Sequence, residues 1–189
     1  MLLTPDLLFV HMPKTGGTWT SAMIRRSGVP WCNLRPVHHY PDERLRAVLP
    51  DRLIFTTVRH PVDWWRSLWN FARATGWPPL PSDWNQIVSS PPEPDFDDFI
   101  TRIADRYPGF FGEMVSLYTT GADVICRTEN LHADVTGIFT KVGYQFPDIP
   151  PRNTGDYSDV PPVSQYARQL IEDAEKAVIS RFYPDAEPG

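Results

Sequence analysis

Three times in this 189-residue chain a short apolar run gives way to a helical pattern, and that alternation predicts an α/β fold. The expected architecture is three-layered, αβα, with a mostly parallel central sheet. The three runs are Leu7 to Val10, Leu53 to Val58 and Ala122 to Arg127. The length suits one core of ordinary size, so a single domain over residues 1–189 is expected.

The first run is too short for a helix, Pro13 interrupts it, and the spacing from Thr18 to Arg26 then predicts a helix. Between them lies Lys14-Thr-Gly-Gly-Thr18. A helix that opens directly behind a glycine turn directs unpaired N–H groups and its positive dipole end at whatever occupies the turn. Phe9 to Trp19 therefore reads as a strand delivering an anion-cradling loop. Lys14 would supply charge, Thr15 and Thr18 hydroxyls, and Gly16 and Gly17 a closely approaching backbone. A plain glycine turn between any strand and helix satisfies the same pattern. The nucleoside-triphosphate loop is a poorer match, because it requires Gly-Lys-Ser/Thr and here Lys14 precedes the glycines.

Pro30 to Pro41 holds too many prolines for a helix, and a short strand near Trp31 to Val37 fits it. The adjacent His38 and His39 are either surface residues or a candidate general base, since histidine titrates near neutrality. Asp42 can cap a short helix to Leu49. Leu53 to Val58 is the clearest strand, and Arg59 follows at its carboxyl end, where α/β folds place ligands. Arg59 could grip a phosphate with two N–H groups or form an ordinary salt bridge. Pro61 suits a helix start, with Val62, Trp65, Leu68, Trp69 and Ala72 on its apolar face and Ser67 two turns in.

Proline and tryptophan, 21 and 7 in the chain, concentrate around residues 61–95, which suggests a ligand-facing or partner-facing loop, and Gly76 to Pro94, carrying Trp77 and Trp84, is the loop-like stretch. Helical faces resume with Phe96, Phe99, Ile100 and Ile103, then with Phe111, Met114, Val115 and Tyr118. After the third strand, Leu131, Val135, Ile138, Phe139 and Val142 mark a helix that Gly143 would close. A second proline-rich stretch contains Arg152, Asn153 and Thr154, and one final helix is expected from Ser164 to Phe182.

A net charge of −5 disfavours nucleic acid as a partner, because strand binding usually needs a basic face. No apolar run reaches the length of a membrane span. The opening Met-Leu-Leu-Thr-Pro-Asp lacks a secretion signal, so the expectation is a cytoplasmic location or a lost targeting segment. Cys32 and Cys126 match no disulfide framework or metal spacing, and Cys126 is expected to be a buried thiol.

Taken together, Pro13-Lys-Thr-Gly-Gly-Thr-Trp19 and Arg59 with Ser67 eight residues later resemble the two phosphate motifs of the sulfotransferases that use 3′-phosphoadenosine 5′-phosphosulfate (PAPS). Cys126-Arg-Thr-Glu-Asn-Leu131 is similar to an R-x-E-x-L stretch downstream in that family. The resemblance implies a P-loop-like fold. It implies that Lys14 stabilises the departing 5′-phosphate, that Thr15, Gly16, Gly17 and Thr18 hold the 5′-phosphosulfate, that Trp19 stacks on adenine, and that Arg59 and Ser67 hold the 3′-phosphate. His39 resembles the family's His-x-Pro base, with His38 next and Glu43 behind it. The implied reaction is sulfuryl transfer to a hydroxyl of a carbohydrate or small molecule, with no metal required. A nucleotide-dependent kinase, or a catalytically idle nucleotide-binding module on the same scaffold, are the alternatives. The chain departs from the family in lacking a late Arg-Lys-Gly segment, for which Arg152, Asn153 and Thr154 are weak substitutes.

Overall fold

A computed structural model of the chain describes residues 1–35, 40–75, 93–147, 149 and 162–184. The fold is α/β, and its described residues separate into two compact units. The first comprises Met1–Arg59 with Met114–Thr154, and the second His60–Glu113 with Gly155–Gly189.

The first unit holds the sheet. Its strands are β1 (Leu2–Leu3), β2 (Leu7–Val10), β3 (Cys32–Asn33), β4 (Leu53–Val58) and β5 (Val124–Arg127), in the order β3-β1-β2-β4-β5. β2, β4 and β5 are parallel, with Leu7 opposite Leu53 and Val58 opposite Arg127. β1 pairs antiparallel with both β2 and β3. The sheet is therefore mixed, which corrects the expected mostly parallel arrangement. The reason is local: Thr4 turns the chain back at once, its hydroxyl accepting from Leu7 N–H at 2.9 Å. A two-residue strand has no periodicity to read, so β1 was invisible in the sequence.

All four residues of β2 are buried, as are the last five of β4. Burial on both faces is what parallel strands require, and it explains their continuous apolar runs. The helices of this unit are α1 (Gly17–Arg26) and α2 (Glu43–Val48), followed by α6, numbered after the helices of the second unit. Asp42 caps α2 as expected, its carboxylate accepting from Leu45 N–H at 2.8 Å. β5 passes through one 3₁₀ turn (Thr128–Asn130) into α6 (Leu131–Lys141). Gly143 ends α6 at φ +76°, and Tyr144 N–H returns to the Phe139 carbonyl at 2.9 Å. Leu7, Phe9, Trp19, Met23, Phe55, Cys126, Val135 and Phe139 belong to one buried core. Cys126 is fully buried as expected, and burial, with a smaller push from Asp134, raises its thiol to about 12.

The second unit is helical: α3 (Pro61–Thr75), α4 (Phe96–Arg106), the first turn of α5 (Phe110–Thr119), α7 (Gln165–Ala174) and α8 (Lys176–Phe182). Trp64, Trp65 and Trp69 are buried in its core, the last two as their helical spacing predicts. Trp64 meets Trp65 edge-on at 4.8 Å and Phe111 at 4.8 Å, and Trp69 meets Phe96 at 5.4 Å. Trp77 and Trp84 lie outside the described residues, so the expected binding loop falls there too.

One long final helix was expected, but Glu175 divides it into α7 and α8. Its carboxylate, 3% exposed with its residue, turns away to accept from Phe111 and Gly112 N–H at 3.1 and 2.8 Å. It thereby caps α5 from a distance of 63 residues in sequence. Burial raises this carboxyl to about 7, the two N–H bonds opposing and Glu113 reinforcing the shift. A raised carboxyl pKa favours the protonated group in the fold, so its stabilising contribution is complete below the ordinary carboxylate range and is lost as pH climbs through 7. Glu175→Gln should accordingly gain melting temperature relative to the native chain between pH 5 and 8. Parallel melting curves would contradict the assignment.

Candidate active site at the carboxyl ends of the parallel strands

The loop between β2 and α1 is held by its own side chains before any ligand is considered. Thr15 is fully buried, and its hydroxyl donates to the Met12 carbonyl at 2.7 Å. With its hydrogen so used, it accepts from the Thr57 hydroxyl at 2.6 Å. The side chain expected to bind a ligand instead fastens the loop to β4, which leaves only the Thr15 backbone for that role.

The glycines also answer to internal demands. Gly16, the residue preceding α1, sits at φ +82°, and a β-carbon there would collide with Leu131 Cδ2. A β-carbon on Gly17 would overlap the imidazole of His11 at Cδ2 and Nε2. At Gly16 the positive φ disfavours other residues, and at Gly17 a β-carbon could enter only if the His11 ring moved. Lys14 has φ +63°, a left-handed conformation that costs a non-glycine residue roughly 1 kcal/mol.

Lys14 and Arg59 make the site electropositive. Arg59, just beyond the carboxyl end of β4, donates from Nη1 to the Lys14 carbonyl at 3.4 Å. Burial lowers the Lys14 ammonium to about 8, and the Arg59 charge adds to the shift. An anion entering here would oppose both effects, since its charge favours each cation. α1 carries no acidic residue in its first turn and no side-chain cap at its start, so no side chain of its own offsets its positive end. Thr18 is exposed on that first turn.

The third motif joins the same place. Thr128 donates from Oγ1 to the Val58 carbonyl at 2.8 Å, tying the turn after β5 to the end of β4. Leu131, 9% exposed, packs over Gly16. Segments around residues 14, 59 and 128, distant in sequence, therefore meet at the carboxyl ends of the first unit's parallel strands.

Trp19, expected to stack on a base, is 4% exposed and belongs to the core, with its indole N–H on the Ile149 carbonyl at 3.3 Å. Ser67 is a buried residue of α3, in the second unit. Glu43 is exposed in the first turn of α2. His38 and His39, like Arg152, Asn153 and Thr154, lie outside the described residues. Among the described residues no group of three or more His, Cys, Asp or Glu could hold a metal ion.

His11 was not singled out from sequence. Its ring stacks on Phe9 with centroids 5.8 Å apart and an interplanar angle of 22°. The signal was the two-residue spacing, which puts both side chains on one face of the extended chain. Comparison with known protein families, with curated proteins and with solved structures finds no match to this chain.

Two outcomes follow. Replacing Arg59 by Gln should raise the Lys14 titration midpoint above about 8, as followed by NMR of the isotopically labelled ε-carbon; an unmoved midpoint would assign the whole shift to burial. Thr15→Val should lower stability by about 1–3 kcal/mol in denaturant titration, because the Met12 carbonyl and Thr57 hydroxyl lose a buried partner.

Proposed function

We propose that this chain is a sulfotransferase that moves a sulfuryl group from PAPS to a hydroxyl acceptor, a carbohydrate or a small molecule. The observation that carries the reading is the meeting of the three motif segments at the carboxyl ends of β2, β4 and β5, with Arg59 on the Lys14 carbonyl and Thr128 on that of Val58. Ligands of open α/β sheets bind outside those ends. On this reading the fold is a P-loop-like, three-layered one with antiparallel additions at one edge.

The roles follow from the charges. Lys14 neutralises the charge that builds on the departing 5′-phosphate. The backbone of Thr15, Gly16 and Gly17, with the N–H groups and hydroxyl of Thr18, receives the 5′ end. Arg59 holds the 3′-phosphate that separates this donor from ATP, and Ser67 joins it by the motif alone. The acceptor oxygen attacks sulfur, the bond from sulfur to the bridging 5′-phosphate oxygen breaks, and the acceptor proton passes to a base. By resemblance that base is His39, with His38 and Glu43 as alternatives. Transition-state charge spreads over leaving-group and equatorial oxygens as in phosphoryl transfer, which is why fixed cations matter most.

Calorimetric titration with 3′-phosphoadenosine 5′-phosphate against ATP tests the reading. The expected result is a clear preference for the former, followed by transfer of labelled sulfate from PAPS to a member of an acceptor panel. Lys14→Ala and Arg59→Ala should each lower turnover by about 10² or more. Preference for ATP would favour a kinase and sink the proposal, and tight binding without transfer to any acceptor would indicate an idle nucleotide-binding module.

A further inference from the structure

Thr128 touches both halves of the site. Its Oγ1 donates to the Val58 carbonyl at 2.8 Å, and that carbonyl belongs to the peptide that joins Val58 to Arg59. Its methyl reaches the anion loop, since a β-carbon on Gly16 would stand 3.9 Å from Thr128 Cγ2 and would collide with Leu131 three residues further on. The turn that presents these contacts is itself fixed. The Asp134 carboxylate accepts from Arg127 N–H at 2.9 Å, and Leu131 N–H closes the 3₁₀ turn on the Thr128 carbonyl.

A peptide unit is planar and rigid, so holding the Val58 carbonyl also sets the direction in which the chain enters Arg59. Arg59 in turn donates from Nη1 to the Lys14 carbonyl at 3.4 Å. The contacts form a closed circuit: Arg59 to the loop at Lys14, the loop at Gly16 to the turn of Thr128 and Leu131, and Thr128 back to the peptide of Arg59. At 3.4 Å the Arg59 bond is long for an N–H donor, so the 2.8 Å bond from Thr128 is the firmer of the two links. Satisfying the Val58 carbonyl needs only a donor. Tying it to a turn that also packs on Gly16 adds a fixed distance between the two charged segments.

We infer that Thr128 is a positioning residue of the site, its hydroxyl setting the spacing between Arg59 and the Lys14–Gly17 loop and so selecting ligands that carry an anionic group at each end. The inference rests on the two-ended site proposed above, and it adds a residue that acts through the Val58 peptide rather than on the ligand. Two cations held at a fixed separation favour a ligand whose charges match it, because the ordering cost is met before binding. A ligand with one phosphate gains nothing from that spacing.

The test is a ratio of affinities measured by calorimetry, that for 3′-phosphoadenosine 5′-phosphate over that for adenosine 5′-phosphate, which lacks the 3′ group. Thr128→Val removes the donor and keeps the shape. The ratio should fall about tenfold in that variant, while affinity for adenosine 5′-phosphate changes by less than about threefold. Thr128→Ser, which keeps the hydroxyl, should restore the ratio. A threonine of merely structural use would lower the melting temperature and both affinities together, so a native ratio in folded Thr128→Val overturns the inference. Should Thr128→Val fail to fold, Thr128→Cys decides, because a thiol of similar size is a weak donor: a native ratio there overturns it as well. Failure of the sulfotransferase reading is scored separately, by the preference of the native chain between ATP and 3′-phosphoadenosine 5′-phosphate. A native ratio near one removes the 3′ role of Arg59 and this inference together.

Discussion

The buried hydroxyl pair of Thr15 and Thr57 is the constraint on which the loop depends. Two side chains 42 residues apart are locked at 2.6 Å, and the Met12 carbonyl takes the remaining hydrogen. Both residues are fully buried, so water cannot replace either partner if one is removed. With Thr15 held, the backbone on either side of it adopts left-handed φ at Lys14 and Gly16, and α1 begins immediately afterwards. The Lys14 carbonyl thereby comes to accept from Arg59. Thr56 and Thr128 extend the same device, their hydroxyls donating to the Val10 and Val58 carbonyls at 3.0 and 2.8 Å. Threonines at strand ends thus satisfy backbone groups that the ladder leaves open.

Burial of an ammonium, with a second cation beside it, is costly, and the lowered Lys14 ammonium reflects burial first and the Arg59 charge second. Such strain is tolerable where an anionic ligand relieves it, because the same proximity then strengthens every contact the ligand makes. The covering of Gly16 by Leu131 and of Gly17 by His11 limits how the loop can relax, so the charges stay where the backbone puts them. Preorganisation of this kind is what electrostatic catalysis requires.

In the second unit the packing logic is different. A cluster of Trp64, Trp65, Trp69, Phe99 and Phe111 supplies its core, and one buried carboxylate, Glu175, caps α5 and breaks the last helix at the same time. The helical periodicity from Gln165 to Phe182 is continuous in apolar positions, which is why a single helix was expected. Only the presence of the unsatisfied α5 N–H groups nearby gives Glu175 a reason to leave the helical path. For α3, by contrast, helical spacing already put Trp65 and Trp69 on the inward face, because their positions repeat with the helix period.

The amino-acid sequence by itself determined the elements with strong local signals: β2 and β4 to the residue, the apolar face of α3, the Asp42 and Gly143 caps, and the glycine turn before α1. These are local properties, carried by residues within a few positions of one another. The tertiary structure alone decided β1 and its antiparallel pairing with β2 and with β3, whose strand was expected near Trp31 to Val37, as well as the core placement of Trp19, the internal use of the Thr15 hydroxyl and the wedge of His11 against Gly17. Each of those depends on a partner brought in by the fold or by a turn. Spacing in sequence cannot reveal whether a hydroxyl will meet a ligand or a strand, since that choice is made only when the strands pair.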